Sequence, residues 1–367
     1  MARDGDEEHE AAAAAVSPQT AAAAAAAAAM TTLALTPLHP LRPFEDCGLL
    51  EVAATGRDGR SEATRVRARY PLKLLTPRST ANASHSLWAY LVTFGGGLLA
   101  GDHVGLRVDV HPAATAVLAT QASTKVYKKP RSGVAAAAAP MAPAATGAAQ
   151  TMHARVASRA LLAVLPEPIV CYADSTYTQT QVFELSHGGS VVLLDWLLSG
   201  RAANGERWQF AQYRSRNVVR VDGHTLFSDH TLLQNDEEHS LTTVAERMGK
   251  AHVTGTLVLV GPAVQQLAAQ LVHKTLPPLT EHCFRACRNA AQQRDATGRE
   301  TATPQPFFFA SASALEDARD GAAAGCVIRF MAESSADAYV FVQQCLQPLQ
   351  PLIGHLPFTG GTQGGAA

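Results

Sequence analysis

The sequence predicts a mainly β fold with about two α-helices in the C-terminal half. From Val104 to Val110, apolar residues alternate with Gly105, Arg107 and Asp109, as in a strand that buries one face. Further short extended runs follow, separated by Gly, Pro and Asp, and this succession favours an all-β arrangement over alternating strands and helices. The candidate helices come late in the chain, at residues 263–274 and 336–349.

The extended runs begin with a predicted hairpin. Runs at 48–54 and 61–70 flank Gly56-Arg57-Asp58-Gly59, a turn-forming tetrapeptide. The run at 191–198 is nearly continuous in apolar residues, as expected for a strand covered on both faces. Asp229 and His230 follow a short run and are expected in a turn. The other predicted strands are 87–93, 104–110, 116–119, 125–127, 152–157, 161–164, 177–185, 209–213, 218–221, 225–228, 251–260 and 326–331.

Low-complexity segments set the expected domain boundaries. The chain has 367 residues, of which 47% are hydrophobic but only 6% aromatic, because alanine runs supply much of the apolar fraction. We expect a disordered alanine-rich arm at 1–42 and a single β-rich domain at 43–357, large enough to fold without a disulfide or metal. Low-complexity insertions are expected near 130–149 and 288–304, and a disordered glycine-rich tail at 358–367.

Charge and hydropathy exclude several partner classes. Thirty basic against 31 acidic residues give a formal net charge of −1, without the basic cluster of a nucleic-acid-binding face. No run of bulky apolar residues is long enough to span a membrane, and the acidic start of the chain is unlike a secretory or organelle signal. We therefore expect a cytoplasmic protein that binds neither nucleic acid nor membrane.

The six cysteines are too sparse and irregular for a disulfide framework. Only Cys283 and Cys287, beside His282, approach the spacing of a metal site. Zinc sites normally take four ligands in two close pairs, and the second pair is missing. A helix with both cysteines on its buried face explains the same spacing.

A glycine-rich loop at residues 95–103 is the most prominent local motif. From Gly96 to Gly101 the glycine spacing matches that of a phosphate-binding loop. Asp102 stands at the lysine position of such a loop, and His103 stands where a magnesium-binding Ser or Thr belongs. Because an aspartate repels phosphate, we expect a tight structural crossover and no nucleotide site.

Asp195 lies within a strongly apolar predicted strand. A buried, unpaired carboxylate is costly, so Asp195 must find a donor, and Arg201 is the nearest candidate. A functional contact with an ion is the alternative. Glu206 follows eleven residues later, in the polar segment after this strand.

The sequence carries no familiar catalytic motif. It contains neither the G-x-S-x-G elbow of a serine hydrolase nor the H-E-x-x-H pair of a metallohydrolase. The remaining enzymatic alternative is a small-molecule hydrolase that uses Asp102 and His103 as an acid–base pair. Adjacent residues of a strand point to opposite faces, which disfavours that pairing.

Several of these motifs, in this order, closely resemble the UreD (UreH) family of urease accessory proteins in its eukaryotic form. The resemblance covers residues 70–129 and 150–234 and continues more weakly to about 350 through SASAL and GCVIRF. Its main motifs are Tyr70-Pro71-Leu72-Lys73-Leu74-Leu75, GGGLLAGD, TQASTKVYK, LLAVLPEPIVCYADSTYTQTQVFEL and VVLLDWLLSGRAANGERWQF.

The resemblance implies a non-catalytic scaffold, or chaperone, for assembly of the urease nickel centre. Such a scaffold binds apo-urease and recruits UreF and the GTPase UreG. For the fold, the resemblance implies strands stacked in a helix-like layered arrangement with two helices alongside. No cofactor is expected to bind tightly, and GTP and magnesium belong to UreG.

The resemblance also implies that nickel passes through a polar tunnel inside the protein. Weak oxygen ligands suit such a passage, because thiolate or imidazole ligands would hold the ion. Asp102, Asp195 and Glu206 are the acidic residues of the matching motifs and are the predicted transient nickel contacts. Free-standing nickel storage is a further alternative, but the histidines are too scattered for tight binding.

Overall fold

The mainly β prediction is confirmed, because most of the described chain forms strands in two sheets. In this computed structural model the described residues are 47–55, 58–77, 85–128, 147–235, 241–278, 280–281, 307–319 and 321–358. The expected arm at 1–42, the insertion near 288–304 and the cysteine pair at 283 and 287 lie outside the described residues.

The described residues form seventeen strands: β1 (Gly48–Thr55), β2 (Arg60–Arg67), β3 (Leu72–Leu75), β4 (Leu87–Thr93), β5 (His103–Val110), β6 (Thr115–Thr120), β7 (Thr124–Val126), β8 (Ala148–Val156), β9 (Leu161–Val164), β10 (Ile169–Cys171), β11 (Thr176–Leu185), β12 (Ser190–Leu198), β13 (Gln212–Val221), β14 (His224–Gln234), β15 (Val253–Val260), β16 (Phe308–Glu316) and β17 (Ala323–Ala332). The α-helices are α1 (Val244–Met248), α2 (Gln265–Gln270), α3 (Ser335–Leu346) and α4 (Gln350–Ile353), and a π-helical turn, Leu271–Thr275, continues α2.

The two sheets are built by a chain that passes from one to the other. The seven-stranded sheet has the order β14-β13-β11-β8-β5-β1-β2, and the main path of the ten-stranded sheet is β16-β17-β15-β12-β9-β6-β4-β3. From β4 to β13 the chain winds as a coil, and its longer strands are added alternately to one sheet and to the other. Within each sheet, every strand added in this way is parallel to the one added before it. This coil explains how parallel strands form without intervening helices, and it agrees with the layered stack that the resemblance implies.

The apolar core has two layers, one on each face of the ten-stranded sheet. One cluster lies between the sheets and includes Val108, Phe183 and Leu193. A second cluster, with Trp196 and Phe341, packs α2 and α3 against the outer face of the ten-stranded sheet. Strand β12 therefore has apolar neighbours on both faces, which accounts for the nearly continuous apolar run predicted there.

The two predicted C-terminal helices are present with modified ends. The first begins with a 3-10 turn at Pro262 and buries Val264, Leu267 and Leu271. The second, α3, buries residues spaced three and four apart, as an amphipathic helix does. The short helix α1 was not predicted; a capping box between Thr243 and Glu246 starts it. None of the helices in the described ranges combines the length and apolar character needed to cross a membrane.

Several predicted boundaries are wrong. The runs at 209–213 and 218–221 are not separate strands, because β13 runs without interruption from Gln212 to Val221. Asp229 and His230 lie inside β14 rather than in a turn. The insertion expected near 130–149 ends too late, because Ala148 is buried at the start of β8. Phe358, assigned to the tail, packs on Trp196 and Tyr339.

Candidate functional site

A cluster of polar side chains lies between the two sheets, inside an otherwise apolar core. Strand alternation turns Gln179 and Gln181 of β11 inward, and Ser215 and Asn217 are their register partners on β13. Asp195 of β12 approaches them from the opposite sheet. The four residues of β11 and β13 are all buried.

Asp195 accepts four hydrogen bonds from neutral donors. The Ser215 hydroxyl and the Asn217 side-chain amide each lie 2.6 Å from Oδ2. Gln179 Nε2 lies 3.1 Å and the Tyr213 hydroxyl 3.3 Å from Oδ1. Within the described ranges no Lys, Arg or His forms an ion pair with this carboxylate. Its negative charge is therefore stabilised by dipoles alone.

Two buried tyrosines border the Asp195 cluster. The Tyr177 hydroxyl lies 3.2 Å from Gln179 Oε1, and the rings of Tyr177 and Tyr213 stack with centroids 6.0 Å apart. Burial, and next the negative charge of Asp195, raise the pKa of Tyr213 well above its usual value. Burial likewise raises the pKa of Tyr177. Both hydroxyls therefore stay protonated and act as neutral donors.

Asp195 lines a small internal cavity that contains a second carboxylate. The space left for water is about 30 Å³, enough for roughly one or two water molecules. Its polar lining consists of Thr120, Thr124, Gln150, Glu167, Gln179, Gln181 and Asp195.

Glu167 is held between the cavity and helix α3. Its carboxylate accepts a hydrogen bond from the Tyr339 hydroxyl of α3, and its backbone N–H donates to Thr120 Oγ1 at 2.8 Å. Burial raises the pKa of Glu167, whereas the bond from Tyr339 opposes that shift. The glutamate is thus positioned by two elements outside the seven-stranded sheet.

Asp102 has a local structural role in the glycine loop. Its Oδ2 accepts the backbone N–H of Leu99 at 2.8 Å, and its own N–H donates to the Leu99 carbonyl at 3.0 Å. The neighbouring His103 ring lies 3.0 Å from Thr151 Oγ1. Asp102 is not among the residues that line the cavity. These separate contacts give no support to an acid–base pair.

Glu206, and not Asp195, is the partner of Arg201. Arg201 Nε donates to Glu206 Oε2 at 2.9 Å, and a second bond joins Nη2 to Oε1. The Arg201 guanidinium also lies 4.1 Å from the centroid of the Tyr172 ring. The Arg201 hydrogen bond lowers the pKa of Glu206. The predicted pairing of Asp195 with Arg201 is therefore wrong, and Glu206 is also absent from the cavity lining.

Sequence reasoning found Asp195 but missed the residues that surround it. Glu167, Gln179, Gln181, Ser215 and Asn217 were not singled out as site residues. Polar residues at alternate positions of neighbouring buried strands were the available signal. Among the described residues no three His, Cys, Asp or Glu side chains group together. The donors present are carboxylate, amide and hydroxyl oxygens, which bind divalent transition metals weakly.

Fold and site together define a coiled, parallel β protein with a small, partly polar cavity in its core. The family model described as UreD urease accessory protein matches residues 46–359. Urease accessory protein D of Arabidopsis thaliana is 33% identical over 82% of this chain and 96% of that protein. UreD of an Anaeromyxobacter strain is 34% identical over 82% and 85%, respectively. Urease accessory protein 4 of Cryptococcus neoformans is 32% identical over 56% and 68%. This chain belongs to the UreD urease accessory protein family.

Proposed function

We propose that this chain is a non-catalytic scaffold for urease maturation that conducts nickel through its internal polar cavity. The scaffold binds apo-urease and recruits UreF and the GTPase UreG in the cytoplasm. Family membership supports a role in urease maturation, and the names of the relatives describe accessory proteins. The nickel ion is the cargo of the protein and no resident cofactor is required.

The observation that carries the proposal is the Asp195 carboxylate and its neutral surroundings. Four neutral donors orient this carboxylate and no described cation neutralises it. In an interior of low dielectric constant, an uncompensated negative charge attracts a divalent cation strongly. The residues that line the cavity include oxygen donors and no Cys or His, so the ion is not held by thiolate or imidazole and can be released.

Glu167 gives the passage a second negative group. It lines the same cavity as Asp195 but belongs to the turn between β9 and β10. Two separated carboxylates allow an ion to move from one to the other without a deep binding minimum. Because the cavity holds only about one or two waters, nickel exchanges part of its hydration shell for protein oxygens.

Asp102 and Glu206 remain predicted nickel contacts, but their geometry favours Asp195 as the principal one. Asp102 already closes the glycine loop, and Glu206 is neutralised by Arg201. A passage that used all three residues would run from the loop to the Arg201 turn. A passage through the cavity uses Asp195 and Glu167.

The decisive experiment is co-expression of the full chain with apo-urease, UreF and UreG under limiting nickel. We expect Asp195→Asn and Glu167→Gln to lower the nickel content of purified urease at least about fivefold, because each removes one charge from the passage. Pull-down of the partners should remain at the wild-type level. The matched comparison variants are Asp102→Asn and Glu206→Gln, which remove one charge each outside the cavity.

The outcomes separate the two routes. Normal urease nickel with Asp102→Asn and Glu206→Gln, together with loss in the cavity variants, supports the cavity route. Loss in Asp102→Asn, Glu206→Gln and Asp195→Asn, with wild-type nickel content in Glu167→Gln, supports the three-residue assignment. Wild-type nickel content with both Asp195→Asn and Glu167→Gln rejects the cavity as the passage, and loss of the pull-down rejects the assignment of these residues to transport.

A further inference from the structure

The outer face of the seven-stranded sheet carries two arginines that have no acidic partner. Arg214 and Arg216 are two residues apart on β13 and alternate with the inward Tyr213, Ser215 and Asn217. Their side chains therefore project to the same, outer face, about 6.6 Å apart along the strand. No ion pair of either arginine is present among the described residues.

Register places neutral side chains on both sides of the two arginines. Two rows of side chains cross β11, β13 and β14: the first is Thr178, Arg214 and Leu232, and the second is Thr180, Arg216 and His230. We call these six residues the cationic patch. Neither row contains a carboxylate. Asp229, the sequence neighbour of His230, faces the other side of β14 and pairs with Arg329 of β17 at 2.8 Å.

The other end of the same face is built differently, because its arginines are paired. Arg220 Nη1 lies 2.7 Å from Glu184 Oε1, and Arg155 Nε lies 3.0 Å from Asp109 Oδ1. Arg65 of β2 pairs with Glu51 in the same way at 2.9 Å. The contrast shows that positive charge is balanced by neighbouring strands at one end of the face and left unbalanced at the other.

Arg216 also has an unused donor. Its Nε atom is buried from solvent and has no hydrogen-bond partner. Buried donors are normally satisfied, so this guanidinium has hydrogen-bonding capacity that no described group of the chain uses. Burial and the charge of Arg216 lower the pKa of His230, which leaves that ring neutral beside the arginines. The positive charge of the patch therefore comes from two guanidinium groups.

We propose that the cationic patch binds a carboxylate-rich segment of a protein partner. Guanidinium groups bind carboxylates through paired N–H donors, which gives both affinity and orientation. The spacing of Arg214 and Arg216 equals the spacing of alternate side chains in an extended peptide, so two acidic residues at positions i and i+2 reach both. Thr178, the register neighbour of Arg214, is half-buried and borders the patch on this side.

A short acidic peptide fits this surface better than a nucleic acid. The chain as a whole carries a formal charge of −1 and offers no extended positive field to a polyanion. At the paired end of the face Glu51 and Glu184 are in ion pairs with arginines, so the unbalanced positive charge does not extend along the face as a long phosphate backbone would require. The inference is independent of the nickel passage, because the patch and the Asp195 cluster lie on opposite faces of the sheet.

The test is fluorescence anisotropy of the full chain with a labelled synthetic peptide that has glutamate at alternate positions. We expect saturable binding below about 1 mM that weakens as salt rises. The double variant Arg214→Gln/Arg216→Gln should bind at least about tenfold more weakly, because it loses two charge-assisted contacts. Arg214→Lys/Arg216→Lys keeps the positive charge but lacks the planar pair of donors. Its affinity for the peptide should lie between those of the wild type and the glutamine double variant.

The matched control is Arg65→Gln/Arg155→Gln, which removes the same charge from the paired end of the same face. These side chains are 67% and 53% exposed, so their replacement preserves the core. Binding by this control within about twofold of wild type supports the proposal. Equal weakening by both double variants, or no saturable peptide binding, overturns it. Tighter binding of a single-stranded oligonucleotide through the same two arginines would show that the proposed class of ligand is wrong.

The unfolding transition of each variant verifies that it is folded.

Discussion

Gln179 Nε2 lies 3.1 Å from Asp195 Oδ1, and this hydrogen bond joins the two sheets through the middle of the core. The same amide lies 3.3 Å from the Ser215 hydroxyl, which in turn contacts the other oxygen of Asp195. Polar side chains thus replace apolar packing at this level of the coil. A satisfied buried network fixes the position of its members, because any displacement leaves several groups unpaired.

Replacement of Asp195 by Ala should destabilise the fold strongly. The change leaves the Gln179, Tyr213, Ser215 and Asn217 donors without their acceptor, and we expect a loss of about 3 kcal/mol in the free energy of unfolding. Asp195→Asn keeps the shape and one oxygen acceptor and should lose less than half as much. Urea denaturation measures both. Equal stability of the Ala variant and the wild type would show that water satisfies these donors equally well.

The stability contribution of Glu167 should depend on pH. Burial raises the pKa of this carboxyl above its usual value of 4.5, so the folded protein binds the proton more tightly than the unfolded chain. The resulting stabilisation is complete below pH 4.5 and is lost as pH rises through the folded-state pKa. Glu167→Gln cannot ionise, so we expect its stability relative to wild type to increase between about pH 4 and pH 7. Urea denaturation across this range measures the difference.

Glu246 provides a control of opposite sign for this pH experiment. The backbone N–H and hydroxyl of Thr243 lower the pKa of Glu246, so its contribution is present above the usual pKa and is lost as pH falls. Glu246→Gln should therefore lose stability relative to wild type as pH rises. If the curve for Glu167→Gln stays parallel to that of wild type, burial of Glu167 does not control its ionisation.

Substitution of Gly97 should be more costly than substitution of Gly95 in the same loop. A Cβ on Gly97 would lie 2.6 Å from Tyr127 Cε2 and 2.7 Å from the Lys125 carbonyl oxygen. A Cβ on Gly95 would meet no described atom within 4 Å, and only its φ of +76° opposes a side chain. We expect Gly97→Ala to cost about 2–3 kcal/mol and Gly95→Ala about 1 kcal/mol, measured by urea denaturation. Equal costs would show that the segment around Lys125 and Tyr127 moves to make room for the added methyl group.

The isolated protein should not bind GTP, despite its phosphate-loop-like glycine spacing. Three backbone N–H groups that a phosphate would need, those of Leu98, Leu99 and Gly101, already donate to protein oxygens at 2.8 Å. The Leu99 donor is occupied by the Asp102 carboxylate, which also repels phosphate. Isothermal titration calorimetry should detect no heat of binding with GTP and magnesium. Micromolar affinity would mean that the loop opens.

The fold was predictable where its signals are local. The alternation at Val104–Val110 predicts β5, and the continuous apolar run at 191–198 predicts a strand covered on both faces, because each pattern reports the neighbours of single side chains. The pairing of strands was not predictable from spacing. Strand β5 pairs with β8, which lies some 45 residues further along the chain, and nothing in either segment specifies that partner.

The candidate site was only partly predictable for the same reason. Asp195 was conspicuous because a carboxylate in an apolar strand needs donors, but the search for its partner favoured Arg201, which is near in sequence. The true donors come from β11 and β13 of the opposite sheet. Glu167 was overlooked because Pro166 and Pro168 made its segment look like an ordinary turn.

The reversed strands at the ends of the coil have a consequence for self-association. A stack of parallel strands with open ends could add another molecule end to end and grow into a fibre. Here each parallel array finishes in antiparallel strands, β2 and β14 in one sheet and β3 and the β15–β17–β16 group in the other. The strand direction presented at either end therefore differs from that of the coil, and β3 has only four residues. A second molecule therefore cannot extend either parallel array directly, and the four residues of β3 leave few backbone groups for pairing at that edge.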